Sequence, residues 1–238
     1  MANSKATWKV LPHGELLRLA ENLWWVEGSL SGMSLKRNMT VVRLGDGRLV
    51  IHSAVALGPD GMSALEALGT PAFLLVPSRY HRLDAPAYKQ RYPQLKVLAP
   101  AGARKQVEEV LALDGTYDDF PADDSVSLHK LDGVAEREGL MRVRSADGVT
   151  LVFNDVVFNM DKKTDFLGWL MTTLLGSAPG PRVSRLAKFA LIPDHAAFRA
   201  ELLRLAQTPE LARVIVAHEK VASGPDARAV LERAATYL

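Results

Sequence analysis

The sequence contains no cysteine, which removes three chemistries at once: a disulfide scaffold, a thiolate metal site and a cysteine nucleophile. It has almost no excess charge. The net charge of +2 is too small to make an electrostatic case for nucleic acid as a partner. Long hydrophobic runs are missing too, since no apolar stretch reaches the roughly 18 residues of a transmembrane helix. The opening "MANSKATWKVLPHGELLRLAE" has no continuous apolar core of a signal peptide. These absences lead to the expectation of a cytoplasmic chain whose partner is a small molecule.

What is present is ordinary in amount and informative in pattern. Over 238 residues, 48% are hydrophobic and 24% charged, enough for one large domain, or two small ones, with a sizeable core. "NLWWVEGSL" and "MTVVRLGDGRLVIHSAVAL" are β-branched runs, the second folded about a Gly45-Asp46-Gly47 turn, which predicts a hairpin. Trp24 and Trp25 fall on opposite faces of one strand. "GMSALEALG" fits a short helix ending at Gly69. "PAFLLVPS" is a continuous apolar run, the pattern of a strand buried on both faces. "LDAPAYKQRYP" predicts a helix capped by Asp84 ahead of Pro86, followed by a strand in "LKVLAP" and a helix in "AGARKQVEEVLAL".

The second half repeats this grammar. Strands are expected in "DSVSLHKLDG", "GLMRVRSADG" and "VTLVFNDVVFN", and again in "LARVIVAHEKVA". Helices are expected in "DHAAFRAELLRLAQT", whose apolar residues recur at helical spacing, and from Pro225 onward. Residues 165 to 191 form two apolar-rich helical pieces split at Ala178 to Pro181, too apolar for a solvated helix; they suit a lid or a contact between two copies of the chain. With no internal repeat and no low-complexity linker, one domain spanning residues 1 to 238, with a helical insertion at about 162 to 192, is the economical reading.

Ligands in α/β architectures gather beyond the C-terminal ends of strands. Four polar groups fall at such ends: His52 after "GRLVI", His81 beyond "FLLVP", Asp155 after "TLVFN" and His218 after "RVIVA". Imidazole and carboxylate are the usual ligands of zinc, iron or manganese. His13, His129 and His195 carry no such positional argument.

At this point the sequence resembles a divergent branch of the metallo-β-lactamase fold superfamily, over nearly its whole length. "LAENLWWVEG" and "NMTVVRLGDGRLVIHSAVAL" are similar to the opening strands of that family. "LEALGTPAFLLVPSRYHRLDA" is similar to its helix, strand and His-x-His-x-Asp-His loop, "GVTLVFNDVVFN" to the strand that ends in a bridging aspartate, and "LARVIVAHEKV" to the late strand that ends in Gly-His. The resemblance implies an α+β, four-layer αββα sandwich of two mixed sheets flanked by helices. In the intact family, two metals activate a water for hydrolysis.

The departures imply a degenerate site. Laid on the loop motif, Arg79 falls on the first histidine, His81 on the second, Leu83 on the aspartate and Asp84 on the last histidine. His52 stands where an aspartate is expected, and Glu136 where a further histidine belongs. The resemblance therefore implies at most one divalent metal (zinc, iron or manganese), held by His81, Asp155 and His218, with Asp84 and Glu136 as replacement ligands and Arg79 and His52 as pocket residues. That set suits reduced hydrolysis of a small ester-like substrate. The alternative is a non-catalytic protein that binds a small molecule or anion, with no metal and an Arg79–Asp155 ion pair in its place.

Overall fold

The structure is a computed structural model and describes residues 6 to 238. Seven strands form the first sheet in sequence order: β1 (Leu17–Ala20), β2 (Leu23–Leu30), β3 (Met33–Arg43), β4 (Arg48–His52), β5 (Thr70–Leu75), β6 (Lys96–Ala99) and β7 (Gly115–Thr116). The first four pair antiparallel, and β4 to β7 run parallel. The second sheet comprises β8 (Val126–Lys130), β9 (Gly139–Ser145), β10 (Gly148–Val152), β11 (Leu211–Ile215) and β12 (Ala222–Ser223), ordered β12-β11-β10-β9-β8. Within it only β10 and β11 are parallel. Both sheets are mixed.

Strand alternation builds the layers. A strand's successive side chains point to opposite faces, so Leu49 and Ile51 of β4 join the outer core of the first sheet while Val50 joins the core between the sheets. Likewise Val214 of β11 faces outward and Ile215 inward. Trp24 and Trp25 divide in the same way, Trp24 into the outer cluster and Trp25 against the inner one. The outer face of the first sheet is covered by α1 (Pro59–Leu68) and α2 (Ala85–Arg91) through Met62, Leu65 and Tyr88. The outer face of the second is covered by α6 (His195–Ala206) and α7 (Pro225–Ala235) through Phe198, Leu202 and Leu231. Each fully buried Leu or Val contributes about 1.5–3 kcal/mol. The order is helix, sheet, sheet, helix.

Local signals mostly operate as their chemistry dictates. Gly47 takes a left-handed φ of 84° in the β3–β4 turn, which costs glycine nothing. Asp194 caps α6 by accepting from Ala197 N at 2.9 Å, and Pro225 opens α7. Two expectations fail. The helix over 101 to 113 is reduced to a 3-10 turn at Ala101–Ala103 and the four-residue α3 (Arg104–Val107); Glu108 and Glu109 would place negative charge at its C-terminal end, where the helix dipole opposes it. Asp84 precedes α2, yet its side chain makes no capping bond. It is drawn instead to Arg37, a buried cation that needs a partner.

Residues 162 to 192 hold α4 (Phe166–Trp169), a π-helical turn at Leu170–Leu174 and α5 (Arg185–Ala190). Ala178, Val183, Ala187 and Leu191 bury into the outer core of the second sheet, whereas Phe166, Trp169, Leu174 and Phe189 stay exposed. No helix among the described residues is long and apolar enough to cross a membrane.

Candidate metal centre

Parallel pairing brings strand ends together. Because β4 and β5 run parallel, His52 and the segment 76 to 84 leave the first sheet at one end; because β10 and β11 run parallel, Asp155 and His218 leave the second sheet side by side. The two ends meet. His81, Asp155 and His218 each offer one ligand atom, and these atoms lie within 4.8 Å of one another. His81 Nε2 stands 3.2 Å from Asp155 Oδ1, and His218 Nε2 stands 3.4 Å from the same oxygen.

Each group is held from behind. The His218 Nδ1–H donates to Lys36 O on β3 at 2.5 Å, and its ring stacks on Phe158 at an interplanar angle of 3°. A carbonyl can only accept, so Nδ1 carries a proton, and Nε2 faces the cluster. His81 Nδ1 bonds Ser53 Oγ at 2.8 Å; Ser53 has a left-handed backbone, φ 58°, a conformation that costs a non-glycine residue on the order of 1 kcal/mol. Asp155 Oδ2 accepts from Ser78 Oγ at 3.0 Å and from Asn154 Nδ2 at 2.9 Å, which leaves Oδ1 to face the imidazoles.

Burial alone would raise the Asp155 carboxyl, but the charges and hydrogen bonds of His81 and His218 outweigh it and hold Asp155 well below the usual carboxylate range. Asp155 is therefore an anion, as a metal ligand must be. Behind it lies Glu138, fully buried, whose two carboxyl oxygens accept from Asn154 N and Asp155 N, each at 2.7 Å. Burial, then the nearby Asp155 charge, pushes Glu138 well above its ordinary value.

Four expected site residues lie outside this cluster. Asp84 pairs with Arg37 and accepts from Ala56 N at 2.8 Å; the buried guanidinium holds it away from ligand duty. Glu136 pairs with Lys130 at 3.3 Å on a solvated turn. His52 is buried, with Nε2 lacking a hydrogen-bond partner among the described residues; burial, and then His81, pushes it down to about 3, so it stays neutral. The Arg79–Asp155 pair does not form. Asp155 is fully engaged by Ser78, Asn154 and the imidazoles, while Arg79 bonds the Tyr80 hydroxyl and lies over that ring.

Sequence reasoning missed three supports. Glu138 is two positions from Glu136, and the polar run "AEREG" gives no sign which acid turns inward. Asn38 on β3 donates Nδ2 to Val216 O at 2.8 Å and to Glu219 O at 3.0 Å, tying the segment that carries His218 to the first sheet. Arg37 beside it donates to Ala54 O at 3.1 Å. A capped strand-end acid such as Asp155 does imply an amide or hydroxyl partner, and Asn154 and Ser78 flank the two strand ends in the sequence.

The donor set fits a divalent cation. Two imidazole nitrogens and one carboxylate oxygen converge, and the far nitrogen of each ring is tied, as ligating histidines are. Beside the cluster lies a cavity of about 230 Å³ walled mainly by apolar side chains, among them Leu30, Met33, Leu35, Phe158, Met171 and Leu191.

No protein-family model matches this sequence, and no curated protein matches it. Among solved structures, the metallo-β-lactamase FIM-1 from Pseudomonas aeruginosa, in its mono-zinc form, is similar in fold at a TM-score of 0.61 and 12% identity, over 96% of each chain. Together with the helix-sheet-sheet-helix layers and the cluster at their shared edge, this similarity shows that the chain has the metallo-β-lactamase fold.

Proposed function

We propose that the chain is a metal-dependent hydrolase of a small ester-like substrate, working with one divalent cation held by His81, Asp155 and His218. One observation carries this reading: a ligand atom from each of His81, Asp155 and His218 lies within 4.8 Å of the others, while the far nitrogen of His218 is held by the Lys36 carbonyl. A cation placed among these three atoms would be within ligand reach of all of them. Zinc is the first choice, since two histidines, one carboxylate and a water complete its tetrahedron; iron and manganese accept the same donors.

Bound there, the cation supplies a water acidic enough to attack at neutral pH, together with polarisation of the scissile carbonyl. The protein's part is positioning. Ser53 and Lys36 O orient the two rings, Ser78 and Asn154 keep Asp155 Oδ1 directed into the cluster, and the apolar cavity excludes bulk water around the bound substrate. Its walls come partly from the 162 to 192 insertion, through Met171, Ala187 and Leu191, which is the role of a lid.

The non-catalytic alternative, an Arg79–Asp155 pair in place of the metal, loses its basis because Arg79 bonds Tyr80 and forms no ion pair with Asp155. Elemental analysis of protein purified without chelator tests the metal reading. About one equivalent of metal is expected, and none in His81→Ala/His218→Ala. Metal-free wild-type protein with a zinc Kd weaker than roughly 1 μM, about −8 kcal/mol, would refute it.

A further inference from the structure

The loop that delivers His81 separates two unlike cavities. Tyr80 and His81 line the apolar cavity beside the cluster. The preceding residue, Arg79, lines a second cavity of about 330 Å³ together with Arg137, Gly102, Gln106 and Phe189. The two cavities share Ala190 and Leu191 as a common wall. Two residues of extended chain span at most about 7 Å, so Arg79 and His81 are within reach of one small molecule.

Their chemistries are complementary. In the first cavity the polar groups are already engaged: the Ser184 hydroxyl accepts from Ala187 N at 3.0 Å and the Tyr80 hydroxyl accepts from Arg79. The first cavity's wall carries the Asp155 carboxylate beside the two imidazoles. The second cavity carries two guanidinium groups and no carboxylate on its wall. Neither arginine forms an ion pair among the described residues. Arg79 Nε is buried without a hydrogen-bond partner, and Arg137 spends Nη1 on Ala190 O at 2.9 Å, which fixes it against the shared wall. Guanidinium forks suit phosphate and carboxylate.

We propose that the ligand of this protein is a small amphiphile, with a short uncharged acyl or alkyl portion in the first cavity and a phosphate or carboxylate held by Arg79 and Arg137 in the second. The first cavity falls below the ~300 Å³ of drug-sized pockets, so the apolar portion is a few carbons long. This assignment deepens the hydrolase reading by giving its substrate class, and relies on that reading only for which end of the ligand reacts.

Calorimetry on chelator-treated protein at constant ionic strength separates the two ideas. The probes are hexyl phosphate, heptanoate, 1-hexanol and inorganic phosphate. At least one anionic chain probe should bind at least tenfold more tightly than both 1-hexanol and inorganic phosphate, and which one does distinguishes phosphate from carboxylate. Arg79→Gln should erase that advantage and leave 1-hexanol unchanged; Met171→Trp should weaken all three chain-bearing probes. Should Arg79→Gln not fold, Arg137→Gln reads the same advantage. Anionic probes binding no better than 1-hexanol, or an advantage that survives the arginine substitutions, would overturn the proposal. Intact probe binding in protein that takes up no zinc would end the metal reading and spare this one.

Discussion

The Nδ1–H of His218, at the end of a second-sheet strand, donates to the main-chain carbonyl of Lys36 in the first sheet at 2.5 Å. That hydrogen bond places a proton on the far nitrogen of a candidate ligand and ties the two sheets together at the site. Asn38, two residues along the same strand, reinforces it from the other side of the His218 backbone through Val216 O and Glu219 O. Geometry at the cluster thus depends on β3, which contributes no ligand.

Asn38→Ala should therefore weaken metal binding without touching a ligand. The substitution strips partners from two carbonyls and should destabilise the fold by about 1–3 kcal/mol, while lowering zinc affinity by roughly tenfold or more, as loss of supports behind metal ligands does. Urea unfolding and competitive zinc titration read the two effects. Unchanged affinity alongside lost stability would show that His218 is positioned by Lys36 alone.

Glu138→Gln tests the other support. Both carboxyl oxygens accept from backbone N–H groups, and an amide must present a donor to one of them. An unsatisfied buried pair costs about 1–3 kcal/mol or more, so this near-isosteric change should lower stability by at least that range. A melting temperature equal to the wild type's would mean that the carboxyl is not the anchor of the Asn154–Asp155 turn.

The Arg37–Asp84 pair separates structure from ligation. Side-chain exposures of 7% and 8% make it a buried pair, and removal of one partner from such a pair costs about 3–5 kcal/mol. Asp84→Ala should destabilise by that amount and leave the metal stoichiometry unchanged, with Arg37→Met/Asp84→Leu recovering much of the loss. Loss of metal from folded Asp84→Ala protein would restore Asp84 as a ligand.

Strand-end position brought forward His81, Asp155 and His218 together with His52, because apolar runs of strand length followed by one ionisable group are visible in a sequence; only the fold separates His52 from the other three. The strands and helices were legible for the same reason, in apolar runs of strand length between turn signals and in helical periodicity, while their four-layer arrangement was what the family resemblance implied. The supports were not. Arg37 and Asn38 sit in "MSLKRNMTVVR", where a polar stretch reads as solvent-facing, and only the return of the chain at residues 216 to 219 makes Asn38 a buried tie. Asp84 shows the converse error: ahead of a proline it has the local signature of a cap, but a cation far away in sequence outcompetes the helix N-terminus for its carboxylate. Partners distant along the chain decide these roles, and periodicity carries no information about them.

His52 makes the acid response of the fold a measurable quantity. It is buried beside His81 with an unpartnered Nε2, and burial followed by the His81 charge pushes it from its ordinary 6.5 down to about 3. The unfolded chain takes up this proton below 6.5 while the folded chain refuses it until about 3. Across that window the unfolded state binds more protons, so stability is fully present above the upper value and is lost as pH falls toward the lower one. The limiting slope for one group is about 1.4 kcal/mol per pH unit. Glu138, pushed upward, contributes with the opposite sign, so the informative quantity is the difference between wild type and His52→Leu, which cannot titrate at this position. Denaturant unfolding at pH 7, 6 and 5 should show wild type losing stability faster than the variant as pH falls, by up to about that slope. Parallel curves would mean that His52 is free to take a proton in the folded state, and that the pocket behind His81 is wetter than its burial implies.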